Sequence, residues 1–143
     1  MPDALTPMMQ QYRRIRGELP PGTFLLFRLG DFYEMFFDDA KEAAGILDIT
    51  LTRRQGMPMC GVPYHAVDAY VAKLLRAGRK VAICDQVEDP AAARGIVKRE
   101  ITRIMTPGTA TEESVLVSKE HHYLGALCAS GNLLGLALLD LST

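Results

Sequence analysis

Apolar positions along this chain change period several times, and each change marks an expected element. Thr6-Pro7 is a hydroxyl cap followed by a proline whose missing N–H does no harm in a first turn. Met8, Tyr12, Ile15 and Leu19 then recur at helical spacing until Gly17 and Pro20-Pro21-Gly22 end the helix. Thr23 to Leu29 is short, largely apolar and rich in aromatics, which reads as a buried strand broken by Gly30. A second helix is expected to open at Asp31, with Tyr33, Phe36, Ala40, Ala43 and Leu47 as its stripe. Ile49 to Arg53 reads as a strand and Gln55-Gly56 as a turn. Met57 to Tyr64 holds too much Gly and Pro for more than a brief extended piece. Val67, Tyr70, Val71, Leu74 and Leu75 mark a third helix, capped by Gly78. Lys80 to Val87 is an expected strand, Asp89-Pro90 the start of a short helix stopped by Gly95, and Val97 to Thr106 a strand with one wet face.

This alternation, with short connections, predicts an α/β fold of the α+β type: a mixed β-sheet layered with about three to four helices in a single compact domain. Thr106-Pro107-Gly108 closes it, and residues 110–120 have the composition of a linker. Tyr123–Ala129 and Leu133–Leu141 then flank Ser130-Gly131-Asn132, a hairpin signal. A lone two-stranded hairpin is marginal in water, so it reads as the first piece of a second domain. The expected organisation is a first domain over 1–115 and a linker plus hairpin over 116–143.

Composition narrows the class. With 143 residues, 48% hydrophobic and 23% charged, the chain fits one soluble globular domain that needs neither disulfides nor metal to bury a core. Cys60, Cys84 and Cys128 lie too far apart for zinc-ligand spacing. Their odd number, without a signal-peptide pattern, points to the cytoplasm. No apolar run reaches the roughly 18 residues of a membrane span. The net charge of −1 conceals a segregation, because residues 50–109 carry ten basic against five acidic side chains. Composition alone favours solvated faces for these charges, and permits DNA without demanding it. His121-His122 reads as a solvated linker pair rather than a metal site. Asp85, Glu88, Asp89 and Glu100 are the acidic residues a small metal-dependent nuclease would need, although Asp89 is better explained as a cap before Pro90. Cys60 and Cys84 read as small core residues.

Gly30-Asp31-Phe32-Tyr33-Glu34 is the most informative stretch. From the residues alone it is first a helix start, with Asp31 as N-cap and Glu34 three positions on in a capping-box-like arrangement. Phe32 falls about 50° from the centre of the apolar stripe at ~100° per residue, so periodicity does not exclude it from the core.

Several stretches in one order resemble the MutS family, in its N-terminal mismatch-recognition domain (domain I) and the start of its connector domain. They are TPMMQQY (6–12), GDFYEMFFDDA (30–40), LDITLTRR (47–54), GVPYHAV (61–67) and RIMTPGT (103–109). The resemblance implies recognition of mispaired or unpaired bases. Phe32 matches an aromatic that enters the minor groove and stacks on the mispaired base, and Glu34 matches a carboxylate that hydrogen-bonds that base. It also implies supporting contacts from Asp31, Arg54, Met59 and Arg103. Such a wedge costs a few kcal/mol of unstacking, against roughly 1–3 kcal/mol returned by one aromatic–base stack. A mismatch, already cheaper to unstack, tips that balance. Glu34 must find a base N–H, or be protonated and donate to an acceptor such as a purine N7.

The same resemblance implies a non-catalytic chain with no cofactor of its own. ATP and magnesium belong to a distant domain of the parent protein, and no G-x-x-x-x-G-K-[ST] loop occurs here. Expected partners are mismatched duplex DNA and, through the parent, a MutL-type repair protein; the parent is a homodimer and this chain by itself a monomer. The alternatives are the metal-dependent nuclease and a protein-interaction module in which Phe32 is plain core.

Overall fold

Phe24, Leu25, Leu26 and Phe27 are all buried, a continuous apolar run of the kind found where a strand is covered on both faces. In the computed structural model, which describes residues 5–109 and 121–142, this run is β1 (Thr23–Leu29), near the middle of a six-stranded sheet. The other strands are β2 (Phe32–Phe36), β3 (Thr52–Arg54), β4 (Met57–Pro63), β5 (Lys80–Gln86) and β6 (Arg99–Met105). Their order is β3-β4-β2-β1-β5-β6. The β1–β5 pairing is parallel and the others are antiparallel, so the sheet is mixed as expected.

Three helices pack on it unequally. α2 (Phe37–Leu47) and α3 (Val67–Arg76) cover one face, where Ala40, Ala43, Leu47, Val71 and Leu74 meet Phe24, Leu26, Tyr33, Met35 and Cys60. α1 (Pro7–Gly17) alone covers the other, where Met9, Tyr12 and Ile15 meet Leu25, Phe27, Phe36 and Cys84. Thr6 caps α1 by accepting from the Met9 N–H. Six strands about 4.8 Å apart span roughly 24 Å, whereas one helix with its side chains is about 10–12 Å wide. About half of the α1 face is therefore left without a helical roof.

The structure corrects the reading of residues 31–36. The expected second helix begins at Phe37, not Asp31, and the capping-box arrangement of Asp31 with Glu34 does not form. Residues 32–36 alternate in burial as a strand does, with Phe32 exposed, Tyr33 buried, Glu34 half-buried and Met35 buried. Gly30 and Asp31 form a two-residue hairpin turn, with Leu29 paired to Phe32 and a positive φ (+56°) at Gly30. A glycine in the first central position matches a II′ turn. Strand pairing to β4 outweighed the local capping preference, and Phe37, with φ +58°, makes the sharp exit into α2.

Met57–Pro63, expected to be mostly irregular, is a full interior strand whose prolines lie at its second and last positions. The expected helix after Asp89 is a single turn: the Asp89 carboxylate accepts from the Ala91 N–H at 2.9 Å. Those few residues before Gly95 are too few to offset helix nucleation. The strand expected at Ile49–Arg53 is Thr52–Arg54, followed by the expected turn with positive φ at Gln55 and Gly56.

The hairpin is present as β7 (Tyr123–Ser130) and β8 (Leu133–Asp140). The linker expected over 110–120 lies outside the described residues. The adjoining histidines are not simply solvated. The His121 ring bonds the Asp140 carboxylate at 2.6 Å, and the His122 ring contacts the Pro107 carbonyl. Among the described residues no helix is long and apolar enough to cross a membrane.

Candidate nucleic-acid interface

The uncovered half of the α1 face is built by register. Phe32 stands opposite Pro63, Glu34 opposite Gly61 and Phe36 opposite Met59 across β2 and β4. Thr52 stands opposite Met59, and Arg54 opposite Met57, across β3 and β4. Because side chains alternate in a strand, Phe32, Glu34, Met59, Thr52 and Arg54 share one face. Phe36, at one end of this row, lies under α1, with its ring centroid 5.0 Å from that of Tyr12. Phe32, at the other end, is 47% exposed. One strand thus carries one aromatic into the core and another, four residues earlier on the same face, out to solvent.

Glu34 occupies the floor of an open groove of about 500 Å³ lined by Phe32, Asp48, Thr52, Met59 and Gly61. Its side chain is only 14% exposed, and Oε2 is buried without a hydrogen-bond partner. The nearest cation is Arg54, with Nη1 at 3.7 Å from Oε2. That distance gives charge attraction without a hydrogen bond. Burial pushes the Glu34 carboxyl above the usual carboxylate range, and the Arg54 charge pulls it back. A buried acceptor with no donor is costly, and is unusual enough to mark a place where a donor or a proton is missing.

Gly61 makes this geometry possible. A Cβ there would stand 3.2 Å from Glu34 Cγ and 3.8 Å from the Phe32 ring. Only the absent side chain lets both groups lie over the strand. The hairpin that presents Phe32 is held from behind. Arg28 Nε donates to the Gly30 carbonyl at 2.5 Å, and the Tyr64 N–H donates to the Asp31 carbonyl at 2.9 Å. The Arg28 guanidinium lies 3.9 Å over the Tyr64 ring, so the two tethers are joined. Tyr33, on the opposite face of β2, donates its hydroxyl to Asp85, which also accepts from Thr102 at 2.7 Å.

The structure therefore brings together Phe32, Glu34, Arg54 and Met59, with Asp31 in the adjoining turn. It does not bring Arg103 to them. Arg103 lies on β6, at the sheet edge three strands beyond β2, and pairs with Ile83, whose side chain packs in the α2–α3 layer. Gly61, Arg28 and Tyr64 were not singled out from the sequence. Gly61 and Tyr64 do lie within the GVPYHAV stretch, but only the register shows what they do.

The acidic residues of the nuclease alternative are otherwise engaged. Asp85 serves Tyr33 and Thr102, Glu88 accepts from the Lys98 N–H at 2.8 Å, and Glu100 pairs with Lys98 at 2.7 Å. Among the described residues no group of three or more His, Cys, Asp or Glu stands close enough to hold a metal ion. The interaction-module alternative requires Phe32 in the core, where it is not.

Comparison with known proteins bears on this face. The family model for MutS domain I matches residues 6–114. The chain is 56% identical to a DNA mismatch repair protein MutS from Desulforamulus reducens, over 98% of this chain and 17% of that protein. It is 54% identical to one from Brevibacillus brevis, over 96% of this chain and 16% of that protein. The Bacillus subtilis protein of the same name is 52% identical, over 96% and 17%. The chain thus spans about a sixth of the length of these relatives.

Proposed function

This chain belongs to the MutS family, whose domain I makes up most of it, and we propose that it reads mispaired or unpaired bases in duplex DNA as the first step of mismatch repair. Phe32 is the wedge. It is inserted from the minor-groove side, unstacks one base step, and stacks on a base already loosened by mispairing. Glu34 reads that base, accepting from an N–H or, once protonated, donating to a ring nitrogen. Arg54 sits on a phosphate, which positions the duplex without specifying its sequence. Met59 lines the groove, and Asp31 sits in the adjoining turn.

One observation carries this reading. A half-exposed aromatic stands beside a buried carboxylate with no hydrogen-bond partner, on a sheet face left open by the helices. A buried carboxylate oxygen without a partner is unusual in a folded domain, and here it stands beside an aromatic ring that a base can stack on. The chain itself binds and does not catalyse. In the longer protein we assign ATP hydrolysis, homodimer formation and contact with a MutL-type partner to regions outside these residues. We assign the β7–β8 hairpin to the beginning of a second domain.

The test is a titration of the chain at low salt with a duplex carrying one G·T mismatch and with its paired control, followed by backbone amide NMR. Larger shifts for the mismatch at Gly30–Glu34 and Arg54–Gly61 are expected. Equal shifts for both duplexes, or shifts on the α2–α3 face, would sink the reading.

A further inference from the structure

The Glu34–Arg54 pair is built unevenly. Glu34 is largely buried, on the groove floor over Gly61, and stands on an interior strand. Arg54 stands on the short edge strand β3, next to the Gln55-Gly56 turn, with 46% of its side chain exposed. The two are held at 3.7 Å by charge alone, with no shared hydrogen bond. A guanidinium binds phosphate through paired, charge-assisted hydrogen bonds, which are stronger than an unbonded ion contact. A duplex over this face brings such phosphates within reach of the exposed Arg54 side chain and not of the buried Glu34 carboxylate.

We propose that Arg54 is an exchangeable counter-charge: it favours the ionised form of Glu34 in the free protein and leaves it for a backbone phosphate when duplex enters, so that wedge insertion at a base that offers an acceptor is coupled to uptake of one solvent proton by the Glu34 carboxylate. This rests on the reading of Phe32 and Glu34 as the base-contacting pair. Among the described residues the other groups around Glu34 give it no replacement cation. Asp48 lines the same groove, Cys60 on β4 is a buried thiol pushed up to about 11 chiefly by burial, and β1 presents apolar Phe27 opposite it. Once Arg54 departs, burial under a base leaves the carboxylate only two stable outcomes, a proton or a base N–H. A base that offers an acceptor is therefore read by the protonated form, and a base that offers an N–H by the charged form. Arg54 then bears on which mismatches are preferred without touching the base.

The first arm needs no DNA. The Glu34 carboxyl carbon is followed by NMR against pH in the free chain, in R54Q and in R54K. R54Q should raise the midpoint and R54K should restore it; an unmoved midpoint in R54Q would overturn the proposal. The second arm is affinity against pH for a duplex with one A·A mismatch, whose bases offer ring-nitrogen acceptors and no ring N–H. With one proton taken up, affinity falls about tenfold per pH unit between the free and bound carboxyl midpoints. In R54Q the lower edge of that window should move up while the upper edge stays, because in the complex Arg54 has already left. Equal movement of both edges would place Arg54 on Glu34 in the complex and overturn the exchange. The salt dependence of binding should fall by about one counterion in R54Q, and an unchanged slope would overturn it as well. E34Q should give a flat pH profile. If E34Q keeps the wild-type profile, or F32A keeps its mismatch preference, the underlying wedge reading has failed, whatever the free chain showed.

Discussion

Phe32 and the leucines of the β7–β8 hairpin are all large apolar side chains left in solvent, but for different reasons. Phe32 is one ring on the uncovered half of a sheet face, next to the Glu34–Arg54 pair and held by a tethered turn. In the hairpin, Leu127, Leu133, Leu134, Leu136, Leu138 and Leu139 are all more than half exposed. Neighbouring leucines such as Leu133 and Leu134, or Leu138 and Leu139, point to opposite faces of a strand, so among the described residues neither face is covered. Soluble chains rarely leave so large a contiguous apolar surface uncovered. The contrast separates one apolar group exposed on a supporting structure from a whole two-stranded surface that no described residue covers.

The comparison can be tested at several levels, beginning with the largest expected contrast. Cys128 in the hairpin is exposed, whereas Cys60 and Cys84 are buried, their thiols pushed up to about 11 and about 12, chiefly by burial. Under native conditions Cys128 should alkylate roughly a hundredfold faster or more than the other two. Equal rates by mass spectrometry would mean that the sheet opens as readily as the hairpin.

Next comes Phe36 against Phe32. Phe36→Ala removes a fully buried ring that meets Tyr12 edge-on, and should cost about 3–5 kcal/mol in urea denaturation. Phe32→Ala should change stability by less than about 1 kcal/mol and abolish the mismatch preference. A Phe32→Ala loss as large as that of Phe36→Ala would make Phe32 a core residue.

Gly61→Ala should cost far less stability than Phe36→Ala, about 1 kcal/mol, because Glu34 Cγ must give way by a few tenths of an ångström. It should nevertheless reduce mismatch selectivity by displacing both Glu34 and Phe32. Selectivity unchanged in Gly61→Ala would mean that the strand floor does not set their positions.

Glu34→Gln tests the sign of the buried charge. The folded-state carboxyl is raised by burial, more than Arg54 lowers it. Its contribution to stability is therefore complete below the ordinary glutamate range and is lost as pH rises through the raised value. Glu34→Gln should flatten that part of the profile and leave the chain slightly more stable at neutral pH, with Tm up by about 1–3 °C. A lower Tm at neutral pH would show that the pairing with Arg54 outweighs the burial.

Smallest of all, Leu134→Lys with Leu136→Lys should leave the melting of the six-stranded unit within about 0.5 kcal/mol and reduce self-association in sedimentation. A destabilised sheet would mean that the hairpin packs on it.

Much of this molecule was legible from residue order. The period-3.6 runs of Met8–Leu19 and Val67–Leu75, the apolar run Thr23–Leu29 and the turn at Gln55-Gly56 are local signals, and each is where it was expected. The pairing of motifs that marks the family is also a property of order. The strand Phe32–Phe36 was not legible as a strand, because Asp31 and Glu34 satisfy the rules for a helix start as well as Gly30-Asp31 satisfies those for a hairpin. Pairing with β4, residues 57–63, settled that choice. No window around Phe32 contains those residues.

By itself, the sequence determined which segments could be elements, which residues could carry chemistry, and the family. Tertiary structure alone decided that Phe32 faces outward while Phe36 faces in, that Gly61 lies beneath Glu34, and that Arg54 reaches Glu34 whereas Arg103 lies on the far edge. The physical reason is register: side chains alternate across a sheet, so a shift of one residue exchanges its faces. Register is set by the partner strand and the layer above it, neither of which is local in sequence.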